Sequence, residues 1–419
     1  MNRSLNTAVS LLETKMFYLD EFRTNLQQAS TTIDETIKIL KEKDEAGDQT
    51  AKIILYLYKG IFSIIEGEKK YRQGDYNGAS LEYIEGSKML TRFQRMSTGF
   101  SIEFQQEAER MDLFSKGRNS ECIALKKGTT HSDQIAALLE AENSYTLESN
   151  IVKKNKNPIS KYNAKARENF TRGLSSKFEG EQAFVSKDLR EAKSKHLEAY
   201  RSFVRAAYFN PSYSIWVKDQ NETLKTVIRT ILEQQASAVW RIAYTLSNEG
   251  KFSESSAKCK IASKLFARAS RQSVDEKNAK MFESYSFMLQ ASMFEANANE
   301  FLKNLNDAKS ATRQFEQASE FLKKAIQAFP NKDEDKATVQ RWEAQQEYYL
   351  GHFYQSQGIF NLDSENYQEA LSLFTQAEKA FQDALQIAEK ANDKGLIKLI
   401  QKSIAEAKGY IGMCKTVLD

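Results

Sequence analysis

The sequence predicts an all-α protein, an α-solenoid built as an array of long antiparallel helical hairpins. Three observations carry that expectation. Only 3 Pro and 17 Gly occur in 419 residues, too few breakers for the closely spaced turns of sheets and barrels. Apolar residues recur at three- and four-residue spacing almost throughout, as in Phe374, Ala377, Phe381, Ala384, Leu385 and Ala388. That is the stripe of an amphipathic helix. No segment shows the strict alternation of a half-buried strand. The composition excludes collagen-like and disulfide-framework classes. With 41% hydrophobic residues, 25 Phe and 18 Tyr, the chain can build a large core instead of remaining disordered.

The elements follow in order from the breaks between apolar stripes. Helices are predicted over 5–43, 49–72 and 76–114, the first weakened near Ser30 and the third near Gly99. Arg72-Gln73-Gly74-Asp75 separates the second from the third. Residues 116–131 carry Gly, Ser and Thr and read as a loop. A helix over 132–155 comes next. Residues 153–180 are polar around Pro158 and read as a linker or a short exposed helix (161–176). Then come 181–209, closed by Pro211, and 212–248, closed by Ser247-Asn248-Glu249-Gly250. The last six are 252–271, 275–304, 307–329, 334–361, 365–391 and 395–417, with breaks at Asn306-Asp307, Pro330 and Asp363 to Asn366. Asn366 with Glu369 three residues on reads as a capping box. Helices this long joined by short loops pack antiparallel. Three regions result: N-terminal hairpins over 1–115, a loop, helix and basic linker over 116–180, and a hairpin array over 181–419.

A repeat lies under this pattern. Ala79, Ala199, Ser255, Ala318 and Ala370 each have an aromatic residue or His three before them and a small residue seven after. Small residues seven apart let two helices approach closely. Gly74-Asp75-Tyr76-Asn77-Gly78-Ala79 and Asn366-Tyr367-Gln368-Glu369-Ala370 resemble the turn motif of the tetratricopeptide-like superfamily. Asn210-Pro211-Ser212-Tyr213 resembles its repeat end. The resemblance implies a right-handed array of stacked hairpins and says nearly nothing about function. The spacing departs from the family. The intervals are 120, 56, 63 and 52 residues, against about 34 in the standard repeat. If the first hides one further unit, with Ala141 in its packing position, each hairpin uses about 52–63 residues.

Chemistry-bearing patterns are sparse. Cys122, Cys259 and Cys414 lie far apart without a CxxC, so no metal or redox motif is present. His131, His196 and His352 have no ligand or triad partner at motif spacing, and His196 reads as a packed turn residue. No Gly-rich phosphate loop occurs. The expectation is a chain that is not an enzyme, takes no cofactor or metal and has no small-molecule substrate.

Two features remain as candidate binding elements. From Ile151 to Arg205 fourteen basic residues face six acidic ones, a local +8 in a chain of net +4. Within it Lys153, Lys154, Lys156, Lys161, Lys165, Arg167 and Arg172 are candidate contacts to an anionic partner. Trp216, Trp240 and Trp342 fall on first helices of hairpins and are candidate anchors in a groove for a partner peptide. The expected function is a non-enzymatic scaffold or adaptor that binds another protein or peptide on a curved helical surface. The alternative is an adaptor on an anionic surface, membrane headgroups or nucleic acid, through 151–205. Glu13 and Lys15 interrupt the first apolar stretch, so no signal peptide is read and a cytoplasmic location is expected.

Overall fold

The computed structural model describes residues 19–154, 158–330 and 335–418. Among them are fourteen α-helices and no strand. In order they are α1 (Leu19–Glu45), α2 (Gln49–Arg72), α3 (Tyr76–Met96), α4 (Ile102–Leu125), α5 (His131–Lys154), α6 (Pro158–Val185) and α7 (Leu189–Phe209). A single 3₁₀ turn, Pro211–Tyr213, leads into α8 (Ser214–Asn248). There follow α9 (Phe252–Gln272), α10 (Glu276–Lys303), α11 (Ala308–Ala328), α12 (Lys336–Asp363), α13 (Tyr367–Lys390) and α14 (Lys394–Leu418). The chain is an all-α solenoid, divided into two compact units, Met1–Leu224 and Lys225–Asp419, with the boundary inside α8.

The two segments expected to be loop or linker change. The loop expected over 116–131 shrinks to 126–130, because α4 runs to Leu125. Its polar residues Ser115, Arg118 and Ser120 are buried, so they signal polar packing and not a loop. The linker or exposed helix expected within 153–180 is a buried helix, α6, which begins at Pro158. Proline suits a first helical position, where the missing N–H has no intrahelical acceptor. The polar residues of α6 bond locally: Thr171 Oγ1 donates to the Arg167 carbonyl and Asn169 Nδ2 to the Lys165 carbonyl.

Five of the hairpin turns share one construction. A residue in the left-handed region ends one helix and the next residue caps the following one. Gly74 (φ 79°), Lys187 (φ 65°), Gly250 (φ 77°), Asn306 (φ 52°) and Glu365 (φ 61°) play the first role. Asp75, Asp188 and Asp307 then accept from the backbone N–H groups of Gly78, Glu191 and Ser310, which satisfies one orphan donor of each helix start. Asn366 occupies the cap position, but its side chain makes no capping bond. The capping box expected there is therefore absent.

Counting from these caps reveals six hairpins: α2–α3, α4–α5, α6–α7, α8–α9, α10–α11 and α12–α13. The cap residues are Asp75, Thr130, Asp188, Lys251, Asp307 and Asn366, at intervals of 55, 58, 63, 56 and 59 residues. Thr130 Oγ1 accepts from the Asp133 N–H, so the unit hidden in the 120-residue interval is α4–α5, with Ala141 buried in it. Eight residues after each cap stand Tyr83, Leu138, His196, Cys259, Phe315 and Phe374. Fifteen after stand Leu90, Tyr145, Phe203, Phe266, Leu322 and Phe381. All are buried. The expected register had joined two positions: Ala79, Ser255 and Ala370 lie four after the cap, Ala199 and Ala318 eleven after it. His196 is accordingly mid-helix, not in a turn.

The first helix of each hairpin answers with two small residues seven apart: Gly60 and Gly67, Gly117 and Ala124, Gly173 and Gly180, Ala236 and Ala243, Ala291 and Ala298, Gly351 and Gly358. A Cβ on any of these glycines would fall within 3.0 Å of the opposing side chain: Leu90 at Gly60, Tyr83 at Gly67, Tyr145 at Gly117, Phe203 at Gly173, His196 at Gly180, Phe381 at Gly351 and Phe374 at Gly358. Helical glycine costs about 1 kcal/mol against alanine. That cost is offset because only a missing side chain admits a ring this close to the backbone.

Candidate functional site

Charge breaks the repeat on two first helices, at Arg110 of α4 and at half-buried Arg229 of α8, each seven residues before the first small residue of its pair. Eighteen residues after the cap, α7, α11 and α13 carry Ala206, Ala325 and Ala384, facing small Ala166, Ser284 and Ala344 on the first helices, all buried. The second hairpin has Glu148 on α5 and Arg110 on α4 instead. Arg110 Nη1 donates to Glu148 Oε1 at 3.2 Å, and Arg167 Nη2 of α6 donates to the same oxygen. Arg110 also forks onto Glu107.

Beside this lies a second buried group on the first helices α2, α4 and α6. Arg118 Nε stands 2.8 Å from Glu68 Oε1, and its Nη1 donates to Glu121 Oε2 at 2.7 Å. The Tyr83 hydroxyl donates to Glu68, Tyr71 to Glu121 Oε2 and Thr171 to Glu121 Oε1. Glu121 of α4 thereby ties α2 to α6. Three guanidiniums and three carboxylates of these two groups, Arg110, Arg118, Arg167, Glu68, Glu121 and Glu148, are each at most 8% exposed. Burial alone would raise the Glu68 pKa, but the Arg118 and Arg72 charges and the Tyr83 hydrogen bond outweigh it and hold the carboxyl below its ordinary range. Desolvation opposes ionisation of the Tyr83, Tyr71 and Tyr145 hydroxyls and pushes their pKa values well up. The cluster is charge-balanced and bonded largely within itself, with Glu148 Oε2, Arg167 Nε and the Tyr145 hydroxyl buried without a hydrogen-bond partner.

The second unit buries a different set. The Tyr349 hydroxyl donates to Glu295 Oε2 at 2.7 Å, and burial raises the Glu295 pKa. His352 packs among the rings of Phe315, Tyr348 and Phe381. Desolvation, helped by Lys303, pushes its pKa from 6.5 down to about 3. Between those values the unfolded chain binds the proton and the folded one does not. Stability from this group is complete above pH 6.5 and drains as pH falls towards 3. Urea unfolding across that window should show stability falling with acidification, and His352→Gln should flatten the slope by up to about one proton. An unchanged slope would refute the assignment.

The sequence-derived candidates are dispersed. Lys156 lies outside the described residues, as do the side chains of Lys153, Lys154 and Lys161. Lys165 places its ammonium over the Phe209 ring at 5.7 Å. Arg172 is paired with Glu142 and Glu168. Arg167 is buried on Glu148, which corrects its assignment as a surface contact. Lys177 and Lys195 pair with Glu181 and Glu179. Much of the local basic excess is thus met by acids on α5, α6 and α7. Trp342 is buried against Phe329 and Tyr285, which removes it as a groove anchor. Trp216 is half-buried against Phe170 and Phe203. Trp240 is exposed on α8 with Ile242 and Tyr244.

All three cysteines are free and buried, with the Cys122 and Cys259 thiols pushed up to about 12, chiefly by burial. That is unlike a reactive thiolate. Among the described residues no group of His, Cys, Asp or Glu is placed to hold a metal ion, and no helix is long and apolar enough to cross a membrane.

No family model matches the sequence, and no curated protein matches it. Among solved structures the chain is similar to a circular tandem repeat protein with novel repeat topology and enhanced subunit contact surfaces. The identity is 12% over 99% of this chain and 96% of that one, at a TM-score of 0.21.

Proposed function

We propose that the chain is a non-enzymatic interaction scaffold that binds another protein on the outside of a rigid helical repeat. One observation carries this reading. Most of the buried charges, rings and hydroxyls described above bond to one another, whereas large apolar side chains stand in solvent on first and second helices alike. On the second helices of the first unit these include Leu81 of α3, Leu139 and Leu147 of α5, and Val204 and Tyr208 of α7, with Tyr208 82% exposed. On α7, Arg201, Val204, Arg205 and Tyr208 share one exposed stripe, an aromatic and arginine combination favoured at interfaces. Photo-crosslinking from position 208 should trap a protein partner. Val204→Glu with Tyr208→Glu should weaken capture at least tenfold while stability stays within about 0.5 kcal/mol, as for surface substitutions generally. Absence of any partner together with a measurable turnover would overturn the reading. Membership of the tetratricopeptide-like superfamily and a cytoplasmic location belong to the same proposal. The 55–63-residue unit makes the chain a long-hairpin variant of that architecture.

A second reading has its own observation. Within 151–205 Lys187, Arg190, Lys193, Arg201 and Arg205 remain exposed, and a further basic stripe lies on α9, where Lys260, Lys264, Arg268 and Arg271 are exposed at spacings of four, four and three. The only acid on that helix is Glu254. Anionic vesicles or nucleic acid bound there should be released steeply by salt. Unchanged binding after reversal of these four charges would exclude it.

A further inference from the structure

The register that places the buried rows of the second helices also places their outer row. Twenty residues after the cap each of the six second helices has an exposed residue: Arg95, Asn150, Tyr208, Arg271, Gln327 and Gln386. Five of the six are polar or charged, as a solvated row requires. On α7 the position holds an aromatic ring instead, and the ring is 82% exposed. It therefore fills no packing site of the repeat. Four residues before it Val204 is exposed too, where the other hairpins have Thr91, Thr146, Ala267, Lys323 and Gln382.

Tyr208 belongs to a preformed group of rings. It meets Phe209 edge to face at 5.3 Å, and Phe209 stacks on exposed Tyr162 of α6 at 6.0 Å with the planes 21° apart. The Lys165 ammonium covers Phe209. Rings already ordered against one another lose less freedom when a partner binds. Charge is a second, independent pointer. Nearby cations are paired: Arg172 with Glu142 and Glu168, Lys177 with Glu181, Lys195 with Glu179 and Glu198. Among the described residues no carboxylate forms an ion pair with Arg201 or Arg205. These two exposed guanidiniums lie one turn apart on the stripe of Val204 and Tyr208, and like charges at that spacing disfavour each other. Carboxylates from outside would relieve the repulsion. A continuous run of phosphates suits the face less well. Exposed Glu198 stands three residues before Arg201, and Tyr162 already stacks on Phe209.

We propose that the outer face of α7, with Tyr162 of α6 beside it, is the docking surface for an acidic amphipathic segment of a partner protein. Carboxylates of the segment pair with Arg201 and Arg205, and its apolar side chains lie on Val204, Tyr208 and the adjoining rings. This rests on the scaffold reading and names the chemistry of the partner.

The test selects peptides from a random displayed library on the full chain and counter-selects on the full chain carrying Val204→Ala and Tyr208→Ala. The counter-selection leaves charge untouched, so acidity in the survivors is a result and not an input. Survivors are expected to be rich in Asp and Glu interspersed with Leu, Phe or Trp. Fluorescent synthetic copies, read by anisotropy, should bind the parent chain saturably and be released by salt. Arg201→Glu with Arg205→Glu should weaken them at least tenfold, and copies with Lys in place of their acids should bind that variant better than the originals do. No survivor, survivors without excess acids, or binding indifferent to the arginine reversal overturns the proposal. So does tighter binding of a poly-dT oligonucleotide through the same arginines, since the face then serves nucleic acid. A partner crosslinked at position 208 whose capture is unmoved by the arginine reversal leaves the scaffold reading standing and overturns this one.

Discussion

Gly351→Leu is expected to destabilise the second unit by about 3 kcal/mol, near the upper end of the cost of overpacking a core. A Cβ at 351 collides with the Phe381 ring at Cδ1 and Cε1. That ring is wholly buried among Ala344, Ala377, Ala384 and Ile400 and has no open side to move into. Leucine's better helix propensity returns under about 1 kcal/mol. Phe381→Ala alone should cost about 3–5 kcal/mol by leaving a cavity. Joined in one chain the two changes should not add, because the leucine side chain enters the space the ring vacates. The double variant should lie at least about 2 kcal/mol above the sum. Hydrogen exchange in α12 and α13 should show the same order. Strict additivity would mean that Gly351 and Phe381 do not share one packing site.

The second large effect concerns charge. Glu148→Leu should cost about 3–5 kcal/mol, the usual penalty when one partner of a buried ion pair is removed. Arg167 would keep its guanidinium in the interior without that carboxylate, and Arg110 would lose Glu148 while keeping Glu107. The loss is not evidence that the group stabilises the fold. Replacing Arg110 and Arg167 by Met together with Glu148→Leu should restore most of it, because apolar substitution of a whole buried ionic group is often neutral or favourable. Other hairpins already fill these positions without charge, with Ala166 and Ala206 on α6 and α7 and Ala344 and Ala384 on α12 and α13. If the triple variant is as unstable as the single one, the ions are needed for more than their own neutralisation. A role in fixing how α2, α4 and α6 seat on one another would follow.

Fold class and unit length were legible in the sequence because breakers are scarce and apolar stripes continuous. Ala141 was legible as the packing residue of a hidden unit for the same reason. The register was only half legible. Along a second helix an aromatic residue three before a small one occurs twice, once at the turn (Tyr76 before Ala79, Tyr367 before Ala370) and once mid-helix (His196 before Ala199, Phe315 before Ala318). A seven-residue helical period makes the two look alike. The paired small residues of the first helices gave a signal that went unread: Gly173 with Gly180, and Gly351 with Gly358, read as weak helix until the opposing rings explain them. Arg167 illustrates the limit for the site. Its formal charge is visible in a linear count, but its counter-charge Glu148 sits 19 residues away on another helix. Local composition therefore marked as surface a residue that tertiary pairing buries. Trp342 fails in the same way, since Phe329 and Tyr285 cover it from α10 and the end of α11.

One register running from α2 to α14 is tested most directly by placing the same substitution at equivalent covered and open positions. Gly409 stands fifty-eight residues after Gly351, and nothing lies within 4 Å of the place a Cβ would take on it. Urea unfolding should show Gly409→Leu equal to the parent chain, or more stable by up to about 1 kcal/mol from helix propensity. Gly351→Leu should lose about 3 kcal/mol. Equal losses at 409 and 351 would contradict a shared register.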